Sequence, residues 1–227
     1  IVTYNIHHGV DIYNNLNLEG ILQVLQQTEA DIIALQEVDR YRPQTHLQNQ
    51  AAWLAKKLSM GYVYSPVRKY KAGSYGNAIL SKYSILSSSN HRLHDMTDIR
   101  YCLRADIDTN GSTLSIFNTH LGLKQPVRYK NLKNIILPLI LPLRNPGILA
   151  GDFNAPDDRP EVHMVSALLT DTFKSNSSPF VYTYPAANPS ARIDYIFINQ
   201  KCIPLNFYIV DSTASDHLPV VAEISYL

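Results

Sequence analysis

The stretch Asp31-Ile32-Ile33-Ala34-Leu35-Gln36-Glu37-Val38 decides how the rest of the chain is read. Its run Ile32-Ile33-Ala34-Leu35 has strand length and no alternation of apolar with polar positions. A strand exposed on one face alternates, so the unbroken run predicts a strand covered on both faces. The run stops at Gln36-Glu37, which sets a carboxylate at its end. Before it, Ile1 to Ile6 is β-branched and aromatic and predicts another strand. Between the two, Leu18, Ile21, Leu22 and Leu25 recur at i, i+3, i+4 and i+7, one face of a helix. Leu47, Ala51, Leu54 and Leu58 mark a second helix after it.

Further along, strands are predicted at Gly76–Ser81, Ile85–Leu93, Tyr101–Asp108 and Thr113–Thr119, with Asn110-Gly111 as a hairpin turn. A third helix runs from about Pro126 to Leu141 on Leu132, Ile135, Ile136 and Leu139, and Pro138 should kink or end it. Ile148 to Phe153 reads as a strand, and Val162, Val165, Leu168 and Leu169 as a fourth helix. Strands at Ile193–Ile198, Ile203–Val210 and Pro219–Ser225 follow. The same strand–helix order thus occurs twice. Along Thr113–Leu121, Leu114 and Ile116 point one way while Phe117 and Leu121 point the other. Two mixed sheets packed face to face, with helices outside both, satisfy all of this. The expected fold is an α/β four-layer α/β/β/α sandwich, one domain over residues 1–227.

Composition bounds the function. An apolar content of 45% supports a large core and excludes a disordered chain, and 9 Gly with 13 Pro exclude a fibrous one. No run of about 18 apolar residues is present to cross a membrane. Lys plus Arg number 20 against 19 Asp plus Glu, a net charge of +1. A dedicated nucleic-acid binder carries a larger basic excess, although a local basic groove stays open. Cys102 and Cys202 have no CxxC spacing, which removes support for zinc and suggests buried thiols. The chain starts at Ile1 rather than Met, so its compartment is not read from that end; a soluble, monomeric protein, cytoplasmic by default, is the expectation.

Several chemistries drop out. Ala72-Gly73-Ser74-Tyr75-Gly76 misses the GxSxG elbow at its first position, and neither a GxxxxGK[ST] loop nor HExxH occurs. Polar residues at strand ends remain. In Gly151-Asp152-Phe153-Asn154, Asp152 and Asn154 would project together past an apolar strand; taken alone, the four residues read first as a turn. Asp194, within Arg192-Ile193-Asp194-Tyr195, needs a partner if buried, either an arginine such as Arg192 or a histidine. Ser215-Asp216-His217-Leu218-Pro219 offers one histidine and Asn118-Thr119-His120-Leu121 another. Glu37 and Asn5 bring hard oxygens that suit Mg²⁺ better than zinc.

Asn5, Gln36-Glu37-Val38, Gly76-Asn77-Ala78-Ile79-Leu80-Ser81, Asn118-Thr119-His120-Leu121, Gly151-Asp152-Phe153-Asn154, Arg192-Ile193-Asp194-Tyr195 and Ser215-Asp216-His217-Leu218-Pro219 stand in the order of the endonuclease/exonuclease/phosphatase superfamily. From Asn5 to Pro219 the chain resembles its compact bacterial metal-dependent hydrolases. The resemblance implies a DNase I-like four-layer sandwich and Mg²⁺-dependent hydrolysis of phosphoesters, with Mn²⁺ as a substitute. It implies that Glu37 binds the metal, with Asn5 and Asp216 beside it directly or through water. Asp152 would align or deprotonate the attacking water, and Asn154 would orient that water or the phosphate. His217, its imidazole held by Asp194, would contact the scissile phosphate, and His120 would contact it from the other side. Asn77, also expected near the phosphate, stands where some nuclease relatives have a carboxylate supporting the first histidine, which leaves the charge of His120 open.

The leading expectation is therefore a metal-dependent phosphodiesterase or phosphatase. A small diester or a lipid or inositol headgroup is favoured slightly over duplex DNA. The alternatives are a nonspecific endo- or exonuclease and a catalytically degenerate binding protein. Tyr62, Tyr64, Tyr70, Tyr75, Arg68, Lys69 and Lys71 cluster in one segment. That segment reads first as a solvated loop and second as a cover over a base or headgroup.

Overall fold

The computed structural model describes residues 1–94, 99–175 and 182–226. Strands β1 (Val2–Asn5) and β2 (Ile32–Arg40) lie parallel, with α1 (Leu18–Gln27) as their crossover. The apolar run of β2 divides as expected. Ile33 and Leu35 pack in the cluster that includes Ile21 and Leu25 of α1 and Leu54 of α2 (Gln50–Lys57), whereas Ile32 and Ala34 lie in the core between the sheets. Each such buried aliphatic side chain is worth about 1.5–3 kcal/mol, so the run pins β2 to the centre. Asn17 and Asn49 cap the two helices, their side chains accepting from the backbone N–H of Gly20 and Ala52. Leu47, expected on the apolar face of the second helix, precedes that cap and is exposed.

Among the described residues two six-stranded sheets form the centre. The first is ordered β11 (Cys202–Ile209), β12 (Val220–Tyr226), β1, β2, β4 (Ser74–Ser81), β3 (Gly61–Lys69). The second is ordered β5 (Ile85–Leu93), β6 (Arg100–Thr109), β7 (Ser112–His120), β8 (Gly147–Asp152), β10 (Asp194–Ile198), β9 (Thr170–Asp171). The orders match position for position. In each sheet one central pair, β1/β2 or β7/β8, is parallel and its neighbours are antiparallel. Leu114 and Ile116 of β7 enter the inter-sheet core, while Phe117 and Leu121 face the cluster of the outer helices. This is the DNase I-like four-layer sandwich.

Three local expectations are corrected. The tyrosine-rich segment is not simply a loop, because Gly61–Lys69 forms the edge strand β3. An edge tolerates Pro66, whose missing donor would break a central ladder. Leu168 lies beyond the end of α5 (Pro160–Ser166) and is exposed. Pro138 does not end its helix: α3 (Gln125–Asn131) passes through a wide π turn, Leu132–Ile136, into α4 (Leu137–Ile140). The turn, with Leu137 N–H bonded to Leu132 O, makes room for a residue that would clash with a regular ladder and cannot donate to it. Both cysteines are free and buried.

Candidate active site

The C-terminal ends of both parallel pairs meet at one rim. Asn5 ends β1, His120 ends β7 and Asp152 ends β8, with His120 and Asp152 in register. Gly151, just before Asp152, has φ +143°, and a Cβ there would lie 1.9 Å from Thr119 O. Only glycine allows β8 to approach β7 that closely and set Asp152 beside His120. Glu37 reaches the rim by another device. The register between β2 and β4 shifts between Leu35 and Val38, and Glu37 sits in this bulge at φ 54°. A bulge re-aims a side chain, and the left-handed backbone of Glu37 is strain held in place by the sheet around it.

Asp152 Oδ2 is the hub. It accepts from Asn5 Nδ2 at 3.1 Å and lies 3.4 Å from His120 Nε2 and 3.8 Å from His217 Nε2. Glu37 Oε1 lies 3.4 Å from Asn5 Nδ2 and 4.0 Å from His120 Nε2. Asn5 Oδ1 is taken by the His7 N–H at 3.1 Å, which turns the amide nitrogen toward the carboxylates. Asp194 finds a histidine rather than Arg192: its Oδ2 lies 2.9 Å from His217 Nδ1 and accepts from Thr183 Oγ1 at 2.6 Å. Arg192 pairs instead with Asp171 at 2.7 Å. Asp152 Oδ1 accepts the Asn154 N–H at 2.8 Å, and Asn154, at φ 48°, donates through Nδ2 to Leu121 O. The turn and the rim are thus one object. Asp216 is half-exposed and 3.8 Å from His7 Nδ1. Asn77 is buried on β4, where its amide donates to Tyr101 O of the other sheet at 3.2 Å.

Burial and charge pull the histidines apart. Burial opposes the His217 cation, but the charge and hydrogen bond of Asp194, with Asp152 behind, outweigh it and lift the imidazole to about 10. His120 is pushed down to about 3 by burial and the nearby Arg100, which the Glu37 charge offsets only in part. His217 is therefore a cation at neutral pH and His120 a neutral imidazole. Burial and the Asp194 charge raise the Asp152 carboxyl above the ordinary carboxylate range. Burial would do the same to Glu37, but the His8 hydrogen bond and the neighbouring imidazoles hold it low.

Sequence reasoning missed His8, Asp39 and Thr183. His8 Nε2 lies 3.1 Å from Glu37 Oε2 and its Nδ1 lies 2.8 Å from Asp39 Oδ1. Burial would lower this imidazole, but its two acids raise it to about 9. The available signal was position: His7-His8-Gly9 follows Asn5 closely, and Asp39 stands two residues past Glu37. Behind the rim, Asn118 Nδ2 donates at 2.8 Å to both Leu35 O and Ala78 O, and its Oδ1 accepts from Gln36 Nε2 at 2.8 Å. This buried bridge fixes the spacing of the sheets.

A two-sheet sandwich whose strand ends gather carboxylates, imidazoles and an amide defines a hydrolase-type DNase I-like frame. The chain belongs to the Endonuclease/Exonuclease/phosphatase family, whose family model matches residues 2–217, and whose members are hydrolases acting on phosphoesters. It is 28% identical over 247 residues to the uncharacterized protein YbhP of Escherichia coli (strain K12), covering 99% of this chain and 95% of YbhP. The solved endonuclease/exonuclease/phosphatase from Beutenbergia cavernae DSM 12333 superposes with a TM-score of 0.85 at 23% identity, covering 99% of this chain and 70% of that one. A Bacteroides thetaiotaomicron mannosyl-6-phosphatase gives 0.75 at 19% identity, covering 99% and 98%. At such identities the structures speak for the fold. Asp152, Asp194 and His217 offer ligand atoms within 4.8 Å of one another and could hold a metal ion.

Proposed function

We propose that the chain hydrolyses phosphoesters with a divalent cation, Mg²⁺ or Mn²⁺, held at Glu37 with Asp216 beside it and Asp152 as general base. The observation that carries this reading is the hub. One carboxylate oxygen of Asp152 is met by an amide from the first sheet and by two imidazoles, one cationic and one neutral. The donors fit a hard cation, being carboxylate oxygens without a thiolate. In the observed orientation Asn5 serves the ion indirectly, as a donor that orders Glu37 and Asp152. His217 Nδ1 is committed to Asp194, so its Nε2 is the atom that faces substrate.

When bound, the cation screens the phosphate's negative charge and makes a water easier to deprotonate. Asp152 takes the proton of the attacking water, its basicity raised by burial. His217, kept cationic by Asp194, stabilises the charge that develops on the phosphate oxygens, worth most in this dry setting. His120, neutral, holds the other side of the phosphate through a hydrogen bond, and Asn154 orients the water. A net charge of +1 favours a small diester or a headgroup over duplex DNA, since duplex binding rests on many phosphate contacts.

The test is hydrolysis of p-nitrophenyl phosphate and bis(p-nitrophenyl) phosphate with Mg²⁺, against chelator and Asp152→Asn. Turnover should vanish in chelator and fall about a hundredfold or more in the variant, the typical worth of a positioned base. Full activity in chelator overturns the metal; full activity in Asp152→Asn overturns the base.

A further inference from the structure

Next to the metal-side carboxylate lies a group of side chains that the hydrolytic chemistry does not use. Asp39 Oδ1, which holds His8, is also 3.4 Å from Arg42 Nη1. The Arg42 guanidinium lies over the Tyr70 ring at 4.1 Å from its centroid, and Arg68 lies over the same ring at 5.2 Å. Tyr70 is 6.5 Å from Tyr75, whose ring meets the His8 ring edge-on at 5.5 Å. Arg68, Tyr75 and Asp39 are cross-strand partners, so they share one face of the first sheet. The arrangement is built by a close approach. Gly73, at φ +77°, packs the β3–β4 turn onto Arg40 and Tyr41, where a Cβ would meet Arg40 O at 2.4 Å. That approach brings Tyr70 over Arg42.

Charge sets what this platform takes. Arg40, Arg42, Arg68, Lys69 and Lys71 are five of the 20 basic residues of a chain with net charge +1, and Asp39 is the one carboxylate paired with the group among the described residues. Two guanidiniums on one tyrosine leave little ring for a base to stack on. A stacked guanidinium keeps its N–H donors in its own plane, and stacking removes much of the rotamer freedom that binding would otherwise cost. Arg42 spends donors on Asp39 and on the Gln44 amide oxygen and contributes mainly charge. Arg68, exposed and paired with no carboxylate among the described residues, can turn its donor edge to an oxyanion.

From this geometry we infer that Arg42, Tyr70 and Arg68 form a second anion subsite, selecting phosphoesters that carry a further phosphate or carboxylate beyond the scissile group. The inference rests on the proposed phosphoesterase reading for its meaning, but its test does not. Alkanediol bisphosphates of two to eight carbons are titrated calorimetrically into the protein with Mg²⁺, against alkyl monophosphates of the same lengths. At the chain length that spans the two sites, the bisphosphate should bind about tenfold more tightly, as a charge-assisted second contact supplies. Arg68→Gln/Tyr70→Leu, on exposed or half-exposed positions, should abolish that margin while leaving monophosphate affinity and bis(p-nitrophenyl) phosphate turnover unchanged. Equal affinity of the two series at every length, including no binding of either at millimolar concentration, overturns the subsite, as does a margin that survives in the double variant. A margin without any ester turnover keeps the subsite and overturns the hydrolytic reading; turnover without a margin does the reverse.

Discussion

Two carboxylate–imidazole–carboxylate strings cross the rim, and they are built alike at different depths. In one, Asp152, His217 and Asp194 have side-chain exposures of 2%, 6% and 1%. In the other, Glu37, His8 and Asp39 have 22%, 28% and 0%. Each outer acid is buried and held by a threonine hydroxyl, Thr183 on Asp194 at 2.6 Å and Thr45 on Asp39 at 3.1 Å. In both, paired acids overcome the cost of burial and hold the imidazole protonated at neutral pH. The difference is water. Charges in the deep string are poorly screened and, on the proposed reading, would act strongly on a bound phosphate, whereas the shallow string leaves its Glu37 carboxylate open to solvent.

The comparison depends on the sheets being held at a fixed spacing, and its largest expected failure is there. Asn118→Leu removes the side-chain donor to Leu35 O and Ala78 O between the sheets, while Gln36 Nε2 keeps Thr3 Oγ1 and Ala34 O. Buried polar groups left unpaired cost about 1–3 kcal/mol each, so urea unfolding should show a loss of roughly 3 kcal/mol or more. A loss below about 0.5 kcal/mol would show that the bridge does not set the spacing.

Within the deep string, Asp194→Asn should lower kcat about ten- to a hundredfold, because the amide neither charges His217 nor fixes its tautomer. The pH profile separates this from a mere packing defect. With Asp194 present, His217 stays cationic up to about 10, so activity that needs the cation declines only as pH rises toward that value. Without Asp194 the imidazole falls back toward its ordinary value near 6.5, and the decline should move down to roughly pH 6–8. An unchanged profile would sink the pairing as the source of the charge.

Much of this arrangement was legible in the sequence because it rests on local rules. The unbroken run Ile32–Leu35 announced a strand between two layers, and polar residues at apolar strand ends announced Glu37, Asp152 and Asp194. What stayed hidden depended on contacts far along the chain or on unusual backbone. His8 joins the site through a left-handed φ of 57° and a carbonyl held by Gln50, 42 residues away. Nothing in its neighbours' pattern reveals that. Asn118 was visible within its motif, but its role depends on carbonyls 83 and 40 residues distant. β3 was missed because an edge strand needs to cover only part of its surface and so carries a weak apolar pattern.

The shallow string yields the smallest and most discriminating effect. His8→Gln removes a cation 3.1 Å from Glu37 Oε2 while leaving Asp39 its bonds from Thr45 and Arg42. Two consequences oppose each other. Losing the hydrogen bond frees Glu37 to turn, costing about 1 kcal/mol of orientation. Losing the charge removes a competitor for the carboxylate, and near a protein surface two unit charges at about 4 Å interact by roughly 4 kcal/mol before solvent screening reduces it. The charge term is larger, so calorimetric titration with Mn²⁺ should show binding several-fold tighter in His8→Gln, on the order of 1 kcal/mol after screening. Activity at saturating metal should fall about three- to tenfold, since Glu37 is then less well placed. Asp194→Asn should leave the Mn²⁺ affinity nearly unchanged. If His8→Gln instead binds Mn²⁺ more weakly, orientation outweighs charge and the shallow string is a clamp for Glu37. If Asp194→Asn weakens Mn²⁺ as much as any change at His8 does, the ion lies on the deep string with Asp152, and the division of labour between the two strings is wrong.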